Sequence, residues 1–448
     1  MIFFVKKNIF LAKICAVLGI LFTNQAFQAI LFTSNIDLSF TFEQDKGIIE
    51  GNEPIIIHFR INNKSTRKIH LQTYCSWLQM DKNKLLSIVP NHFSIEPNTE
   101  RLLSVSYQPQ EKGFYKANLS VKQAGAWVKS IEVFFGYNLS TYKPYPPKPL
   151  PADFEAFWQS VKQSLAAVAP NFRLERKQQL CTESYEVFLL EMQSLDNQTI
   201  RGFYRMPIGK RKVPAILQLP SLGGAFYNIG TLEQKPKHGV PLEYALLSLN
   251  VRGHGNSKDT FDADKLGNDF FTIGIGNKHT YIYKGIIADC LRAIDFLHTR
   301  PEIDKQKIIV EGGSQGGGLS LIVAGLDNRI RYCCPDVPFL CNMPQLSEVF
   351  WVKEVLQKKQ FLYSTKQMLE TLNYFDAQFF AQKIRIPVYM SIGLQDYTCP
   401  PHTAWEAYWQ IPSAEKQISI YPYGRHAGGG EQHRKAKFAW LAAQLQKL

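Results

Sequence analysis

The chain has 448 residues, of which 45% are hydrophobic and 13% aromatic, so a sizeable core is expected and global disorder is excluded. This length is typical of two domains plus a targeting segment. The formal net charge of +13 comes from lysines and arginines that are scattered among acidic residues. Without a basic helix, or a basic stripe interleaved with aromatic residues, nucleic acid is not an expected partner.

The first 29 residues have the features of a secretory signal peptide. A pair of lysines forms the positive n-region, residues 9–22 form an apolar core, and residues 26–29 (Ala-Phe-Gln-Ala) end in a small-x-x-small cleavage motif. Lys13 interrupts the apolar run, and no later stretch is apolar over the length that a membrane-spanning helix needs. We therefore assign residues 1–29 to a signal peptide and expect a secreted or periplasmic protein, with no membrane partner after signal removal.

Residues 30–142 are predicted to form an all-β domain. Three runs are rich in β-branched and aromatic residues and are separated by turn-forming residues: 55–61, 102–107 and 128–135. Several short strands over about 100 residues favour a small immunoglobulin-like β-sandwich. Trp77 and Trp127 could stack on sugars, although an aromatic residue in a sandwich more often belongs to the core. The segment contains no set of nucleophile, base and acid.

A proline-rich linker over residues 143–151 separates this domain from the rest of the chain. Its sequence, Lys-Pro-Tyr-Pro-Pro-Lys-Pro-Leu-Pro, favours a stiff polyproline II conformation. Asp153 is then predicted to cap a helix, because apolar residues recur at helical spacing between residues 154 and 165.

Residues 152–448 alternate between predicted strands and helices, which is typical of a mainly parallel sheet covered on both faces. A helix is predicted over residues 281–297. The predicted strands cover residues 185–192, 199–206, 215–219, 245–251, 308–310, 330–334, 388–392 and 417–421. The fold class expected from the sequence is therefore α/β, preceded by the small β-sandwich.

The central motif is Gly312-Gly313-Ser314-Gln315-Gly316, a G-x-S-x-G between the predicted strand at 308–310 and an apolar helical stretch. A strand that turns sharply into a helix holds the middle residue in strained backbone and exposes its side chain. Glycines two residues before and two residues after remove the Cβ atoms that would collide across such a turn. Ser314 is therefore the candidate nucleophile.

A serine nucleophile needs a base, and the base needs an acid that orients it. His426 lies in a glycine-rich loop after the last predicted strand, whereas His402 begins a predicted helix and His433 lies on a predicted solvated helix face. A loop at a strand's carboxyl end can carry an imidazole to the serine, so His426 is the favoured base. Asp396 is the favoured acid because it follows the last strand but one, although Asp336 could reach the same edge.

Acyl transfer also needs hydrogen-bond donors for the oxyanion. One expected donor is the backbone N–H of Gln315, the residue after the nucleophile. The other is expected from the loop 220–224 after the strand 215–219, and Leu222 N–H is the preferred choice. Arg252, which follows the strand 245–251, is expected to hold neighbouring loops through ion pairs rather than to take part in chemistry.

The cysteines and remaining motifs predict neither a metal nor a cofactor. Of eight cysteines, Cys15 lies in the signal peptide, and an odd, sparse remainder is not a disulfide framework. There is no C-x-x-C pair, Walker loop, H-E-x-x-H motif or dinucleotide fingerprint. Most of the remaining cysteines are expected to be buried thiols: Cys75, Cys181, Cys290, Cys333, Cys334, Cys341 and Cys399.

Residues from about 151 to the C-terminus resemble the acetyl xylan esterase and cephalosporin-C deacetylase family, carbohydrate esterase family seven. The resemblance rests on Arg252-Gly253, on residues 312–318, 336–341, 374–376, 393–396 and 399–401, and on His426 with its following glycines. It implies an α/β-hydrolase fold, a triad of Ser314, Asp396 and His426, and a preference for short acyl groups. It also implies an acetylated oligosaccharide or small acetyl ester as substrate, and homo-oligomeric assembly.

Three positions depart from the pattern of the family that the chain resembles. Family members usually have glutamine where His254 stands, glutamate where Ala427 follows the histidine, and tyrosine where Leu222 falls. The leading interpretation is a secreted serine carboxylesterase. Two alternatives are a serine peptidase of the prolyl oligopeptidase kind, which usually carries a much larger propeller, and a catalytically dead carbohydrate-binding protein.

Overall fold

A computed structural model describes residues 35–43, 46–80, 82, 84–144, 149–226 and 240–447 of the chain. The predicted signal peptide and the middle of the predicted linker lie outside these residues. The chain divides into two compact units, with the division between Tyr142 and Lys143.

The first unit contains two β-sheets around one hydrophobic core. Its strands are β1 (Ile36–Phe42), β2 (Ile48–Ile49), β3 (Ile55–Asn63), β4 (Ile69–Gln79), β5 (Lys84–Ile95), β6 (Glu100–Tyr107), β7 (Gly113–Gln123) and β8 (Ala126–Tyr137). One sheet has the order β1-β3-β6, the other the order β2-β8-β7-β4-β5, and every pairing except β2–β8 is antiparallel. A 3₁₀ turn, Leu139–Thr141, follows β8.

Alternating burial along the strands explains this sandwich, because successive side chains point to opposite faces of a sheet. In β3, Ile55, Ile57, Phe59 and Ile61 are all buried in the shared core, and the residues between them are not. Trp77 belongs to the same core, whereas Trp127 is half-buried and contacts Tyr74 edge-on. Trp77 therefore has the core role that is usual for an aromatic residue in a sandwich.

The second unit is built on one nine-stranded sheet. Its strands are β9 (Arg173–Arg176), β10 (Tyr185–Gln193), β11 (Thr199–Pro207), β12 (Val213–Leu219), β13 (Ala245–Asn250), β14 (Ile303–Gly313), β15 (Tyr332–Asp336), β16 (Val388–Gly393) and β17 (Lys416–Tyr421). Their order is β17-β16-β15-β14-β12-β13-β11-β10-β9. The six strands from β17 to β13 are parallel, and β11, β10 and β9 extend the sheet in antiparallel fashion.

Helices cover this sheet on both faces. The α-helices are α1 (Phe154–Ala166), α2 (Ala263–Leu266), α3 (Ile282–Thr299), α4 (Gln315–Leu326), α5 (Met343–Leu346), α6 (Phe350–Gln357), α7 (Thr365–Leu372), α8 (Ala377–Ala381), α9 (Pro401–Gln410) and α10 (Gly430–Leu445). Short 3₁₀ helices span Gln178–Leu180, Leu195–Asn197, Gly267–Thr272 and Asn373–Phe375. Among the described residues, no helix combines the length and apolarity that a bilayer crossing requires.

The two faces of β12 show why the sequences of the parallel strands are continuous apolar runs. Ala215 and Leu217 face a large core that includes α3 and α4, whereas Ile216 between them packs with Leu441 of α10 on the other face. A strand buried on both faces has no polar positions to alternate with. The α/β fold class expected from the sequence is confirmed, and the parallel strands point their carboxyl ends toward one edge, where loops converge.

One local expectation was wrong. Asp153 occupies the N-cap position of α1, but its side chain makes no capping hydrogen bond. Its carboxylate instead pairs with the ammonium of Lys278 and accepts a hydrogen bond from the hydroxyl of Tyr374. A charged partner competes well against a backbone N–H for a carboxylate, and this partner is distant in the sequence.

Candidate active site

Ser314 lies on the sharp turn between β14 and α4, with φ 58° and ψ −119°. This left-handed backbone is unfavourable for a residue with a Cβ, so the surrounding structure must enforce it. A Cβ on Gly312 would lie 2.6 Å from the carbonyl carbon of Gly316, and a Cβ on Gly316 would lie 2.3 Å from the oxygen of Leu219. Both glycines are therefore required at the turn, as the sequence predicted.

Hydrogen bonds from the next strand fix the backbone of the turn. Ser314 N donates to the carbonyl of Asp336 at 3.0 Å, and Phe339 N donates to the carbonyl of Ser314 at 2.8 Å. The strain is thus held by β15 and the loop that follows it. Such strain at a sheet edge suggests a functional position.

A histidine and a carboxylate are paired near this turn. Nδ1 of His426 lies 2.8 Å from Oδ2 of Asp396, whose other oxygen accepts from the N–H groups of Thr398 (2.8 Å) and Cys399 (3.0 Å). Asp396 is 1% exposed, whereas the His426 side chain is 37% exposed. Because a carboxylate only accepts, Nδ1 carries the proton and the Nε2 lone pair is left for a base.

Cys399 connects this pair to the turn. Its Sγ lies within 4.8 Å of both a carboxylate oxygen of Asp396 and a ring nitrogen of His426. Against the larger effect of burial, hydrogen bonding from the Ser314 side chain lowers the pKa of this thiol. Burial raises the pKa of the Cys399 thiol well above its usual value, and the charge of Asp396 adds to this effect. The thiol is therefore neutral and is not a competing nucleophile.

Sequence reasoning did not find this role for Cys399. The only local signal is that Cys399 follows Asp396 by three residues. At this spacing an aspartate side chain can close a turn, and here Oδ1 of Asp396 accepts from the N–H of Cys399. That turn places the thiol beside the carboxylate, but the contact with Ser314 is non-local.

The same three side chains are the candidate metal group in the described part of the chain: Asp396, Cys399 and His426. Their chemistry does not favour a cation. Both oxygens of Asp396 already accept hydrogen bonds, and a metal would require the thiolate form of a thiol that burial keeps protonated. Hydrogen bonding and proton transfer are the chemistry that this set supports.

The structure corrects the expectation for His433 and shows that Asp336 is not part of the His426–Asp396 pair. His433, predicted on a solvated face, is 3% exposed, and its Nε2 lies 2.8 Å from Oδ1 of Asp336. Nζ of Lys437 lies 2.8 Å from the other oxygen of Asp336 and 2.8 Å from Oε2 of Glu311. Asp336 thus belongs to a buried charge network. His402 begins α9 near its N-terminus, as predicted, and is buried.

The loop after β12 approaches the turn at Ser314. The hydroxyl of Ser221 donates to the carbonyl of Gly313 at 3.0 Å, and Gly224 N donates to the carbonyl of Ser221 at 2.8 Å. Gln315 opens α4, so its N–H is among those that have no acceptor within the helix. Leu222 is half-buried in the loop, and its N–H stays a prediction as the second oxyanion donor.

Arg252 has the structural role expected for it. Its guanidinium donates to both oxygens of Asp289 on α3, at 2.9 and 2.8 Å, and to the carbonyl of Leu195 at 3.0 Å. Both charged side chains are almost fully buried. The pair ties the carboxyl end of β13 to a helix that lines the core.

Comparisons with known proteins agree on one family. A family model described as acetyl xylan esterase (AXE1) matches residues 135–444. The curated acetyl esterase Axe7A of Xylanibacter ruminicola is 27% identical, over 75% of this chain and 76% of that protein.

Solved structures give the same picture. The acetyl xylan esterase of Paenibacillus sp. R4 is 29% identical with a TM-score of 0.60, over 68% of this chain and 98% of that one. Acetyl xylan esterase 1 of Thermoanaerobacterium sp. JW/SL YS485 is 23% identical with a TM-score of 0.58, over 66% of this chain and 95% of that one. The second likeness, at that identity, concerns the fold alone.

Proposed function

Since the chain belongs to the acetyl xylan esterase family and is therefore a carboxylic ester hydrolase, we propose that it removes acetyl groups through an acyl-enzyme on Ser314. The proposed substrates are acetylated xylo-oligosaccharides or related small acetyl esters. The observation that carries this proposal is the pairing of His426 with Asp396 in a unit that also contains the strained turn at Ser314. Ser314 has φ 58° and ψ −119° at the start of α4, and Nδ1 of His426 lies 2.8 Å from Oδ2 of the buried Asp396.

In the proposed first step, the Ser314 oxygen attacks the acetyl carbonyl carbon while Nε2 of His426 takes the hydroxyl proton. Asp396 accepts from Nδ1 and stabilises the imidazolium that forms. The carbonyl oxygen becomes an oxyanion, for which the N–H groups of Gln315 and Leu222 are the proposed donors. The imidazolium then protonates the departing sugar oxygen. The C–O bond breaks and leaves acetyl-Ser314.

The second step repeats this chemistry with water. His426 takes a proton from water, the hydroxide attacks the acetyl-serine carbonyl, and the serine oxygen leaves with that proton. Acetic acid is released and ionises to acetate in solution, and the resting enzyme is restored. No metal or cofactor takes part in this proposal.

The proposal also includes a secreted or periplasmic location and homo-oligomeric assembly. The support for a secreted or periplasmic location is the signal-like sequence of residues 1–29, which lie outside the described residues. The support for homo-oligomeric assembly is the resemblance to the family alone.

Initial rates on three substrates test the proposal: p-nitrophenyl acetate, acetylated xylo-oligosaccharides and a proline-linked peptide amide. We expect turnover of both acetyl esters and no hydrolysis of the amide. The Ser314→Ala protein should be inactive, and the matched control Ser160→Ala should retain full activity because that hydroxyl only donates back to the carbonyl of Phe157 on α1. Preferred cleavage of the peptide amide would favour a peptidase, and no turnover at all would favour a binding protein.

A further inference from the structure

A buried histidine links the loop after β12 to the first turn of α4. His254 follows β13, is 1% exposed, and packs edge-on against Phe270 at 5.3 Å between ring centroids. Its Nδ1 lies 3.2 Å from the carbonyl of Arg252, which can only accept, so Nδ1 carries the proton. Burial also lowers the pKa of His254, which favours the neutral ring.

The other ring nitrogen of His254 is therefore an acceptor, and two donors face it. Gly223 N lies 3.3 Å from Nε2, and the side-chain nitrogen of Gln315 lies 3.2 Å from it. Gly223 directly follows Leu222, and Gln315 directly follows Ser314. A single lone pair thus faces both segments that carry the proposed oxyanion donors.

The side chain of Gln315 completes the link. Its oxygen accepts from the hydroxyl of Tyr283 on α3 at 2.7 Å. Its nitrogen lies 3.3 Å from the carbonyl of Pro220, at the start of the loop. Because a carbonyl can only accept, this contact fixes which end of the amide is the nitrogen that faces His254. Pro220 is therefore tied directly to Gln315 at the start of α4, and Gly223 is tied to it through His254.

We propose that His254 is a positioning residue, whose neutral imidazole holds the loop 220–224 against the start of α4 and so sets the spacing between the backbone N–H groups of Leu222 and Gln315. This inference rests on the proposed function, since it assigns those two N–H groups to the oxyanion. A glutamine at this position would keep an acceptor, because the oxygen of its side-chain amide accepts hydrogen bonds. Packing against Phe270 alone would require a ring but no acceptor.

Two substitutions separate these roles. Both His254→Leu and His254→Gln remove the ring. His254→Leu fills the buried position with an apolar side chain and has no acceptor, whereas His254→Gln keeps an acceptor. Deleting an oxyanion donor typically costs about 100-fold or more in kcat, so misplacing one should cost about tenfold or more. We expect His254→Leu to lose about tenfold in kcat on p-nitrophenyl acetate, with KM within about twofold. His254→Gln should stay within about threefold of wild type in kcat.

A third variant keeps the proposal falsifiable if His254→Leu does not fold. Gln315→Met retains the backbone N–H but removes the side-chain bridge, so it should also lose about tenfold in kcat at unchanged KM. Tyr204→Phe is the matched control, because it removes a buried hydroxyl that donates to Glu302 at 3.2 Å, away from the Ser314 turn. Its kcat should equal that of wild type.

The outcomes distinguish this inference from the proposed function. If Ser314→Ala retains activity, the proposed function is wrong and the inference falls with it. If Ser314→Ala is inactive while folded His254→Leu and Gln315→Met keep wild-type kcat, only the inference is wrong. Equal losses in His254→Leu and His254→Gln would assign the histidine to packing and would also overturn it. A loss of kcat in His254→Leu, with kcat close to wild type in His254→Gln, supports it.

Discussion

Replacing Asp336 with asparagine should destabilise the protein without removing its activity. Asp336 belongs to the buried charge network with Lys437, Glu311 and His433, and not to the His426–Asp396 pair. The side chains of Lys437 and Glu311 are each 6% exposed, and that of Asp336 is 25% exposed. Asp336 also accepts from the hydroxyl of Ser391 at 3.2 Å. An asparagine would keep the shape but remove the negative charge that faces Lys437 and His433.

The size of the effect follows from the pKa of Asp336. Burial alone would raise it, but the positive charge of Lys437 and the close contact with His433 outweigh burial and lower the pKa from 3.8 to about 2. This lowering of the pKa from 3.8 to about 2 corresponds to roughly 2–3 kcal/mol. Removing one partner of a buried ion pair costs about 3–5 kcal/mol. Here Glu311 still pairs with Lys437 after the substitution, so we expect the smaller loss of about 2–3 kcal/mol.

The effect should also depend on pH. Because the folded pKa is below the ordinary value, the charge stabilises the fold above pH 4 and this stabilisation is lost as the pH falls toward 2. Urea unfolding of wild type and Asp336→Asn should therefore differ by about 2–3 kcal/mol at pH 7. The difference should shrink between pH 4 and pH 2.

Turnover of the folded variants decides which carboxylate is the catalytic acid. Asp336→Asn should keep kcat within about threefold of wild type, whereas Asp396→Asn should lose about 1,000-fold or more because the imidazole loses its orienting acceptor. An inactive but folded Asp336→Asn, together with wild-type turnover by Asp396→Asn, would show that Asp336 and not Asp396 is the catalytic acid.

Three further predictions concern the proposed chemistry and its domain. Ser314→Ala and His426→Ala should each abolish most turnover on p-nitrophenyl acetate, and the double variant should cost little more than either, since the groups act as a unit; additive losses would contradict this. Across p-nitrophenyl esters from acetate to octanoate, kcat/KM should peak at the short end, as the family resemblance implies, whereas a maximum at octanoate would indicate a lipase-like pocket. Cleavage within residues 143–150 should leave a catalytic unit whose kcat/KM on a small acetyl ester stays within about tenfold of full length; a folded fragment without activity would show that the N-terminal unit helps to build the site.

The elements that sequence predicted well have local causes. The strand at 388–392 is buried throughout, so its sequence is apolar apart from Ser391, and the observed strand extends it only to Gly393. The turn at Ser314 was predictable for a similar reason, because two glycines at fixed spacing are required for its backbone geometry.

The errors arise where a distant partner decides the outcome. His433 has polar neighbours, Gln432, Arg434 and Lys435, that indicate a solvated face, yet a carboxylate from β15 lies against its ring. Periodicity within a helix carries no information about such a partner. His254 illustrates the same limit, since its acceptor role depends on a loop and a helix that meet only in the folded chain.

Trapping of the acyl-enzyme tests the central claim most directly. Wild-type protein would be mixed with p-nitrophenyl acetate, quenched in acid during turnover, digested and analysed by mass spectrometry. We expect one acetyl group on the peptide that contains Ser314, and none on that peptide from Ser314→Ala. Acetyl transfer to a different residue at the rate of turnover, or full turnover by Ser314→Ala, would contradict this expectation.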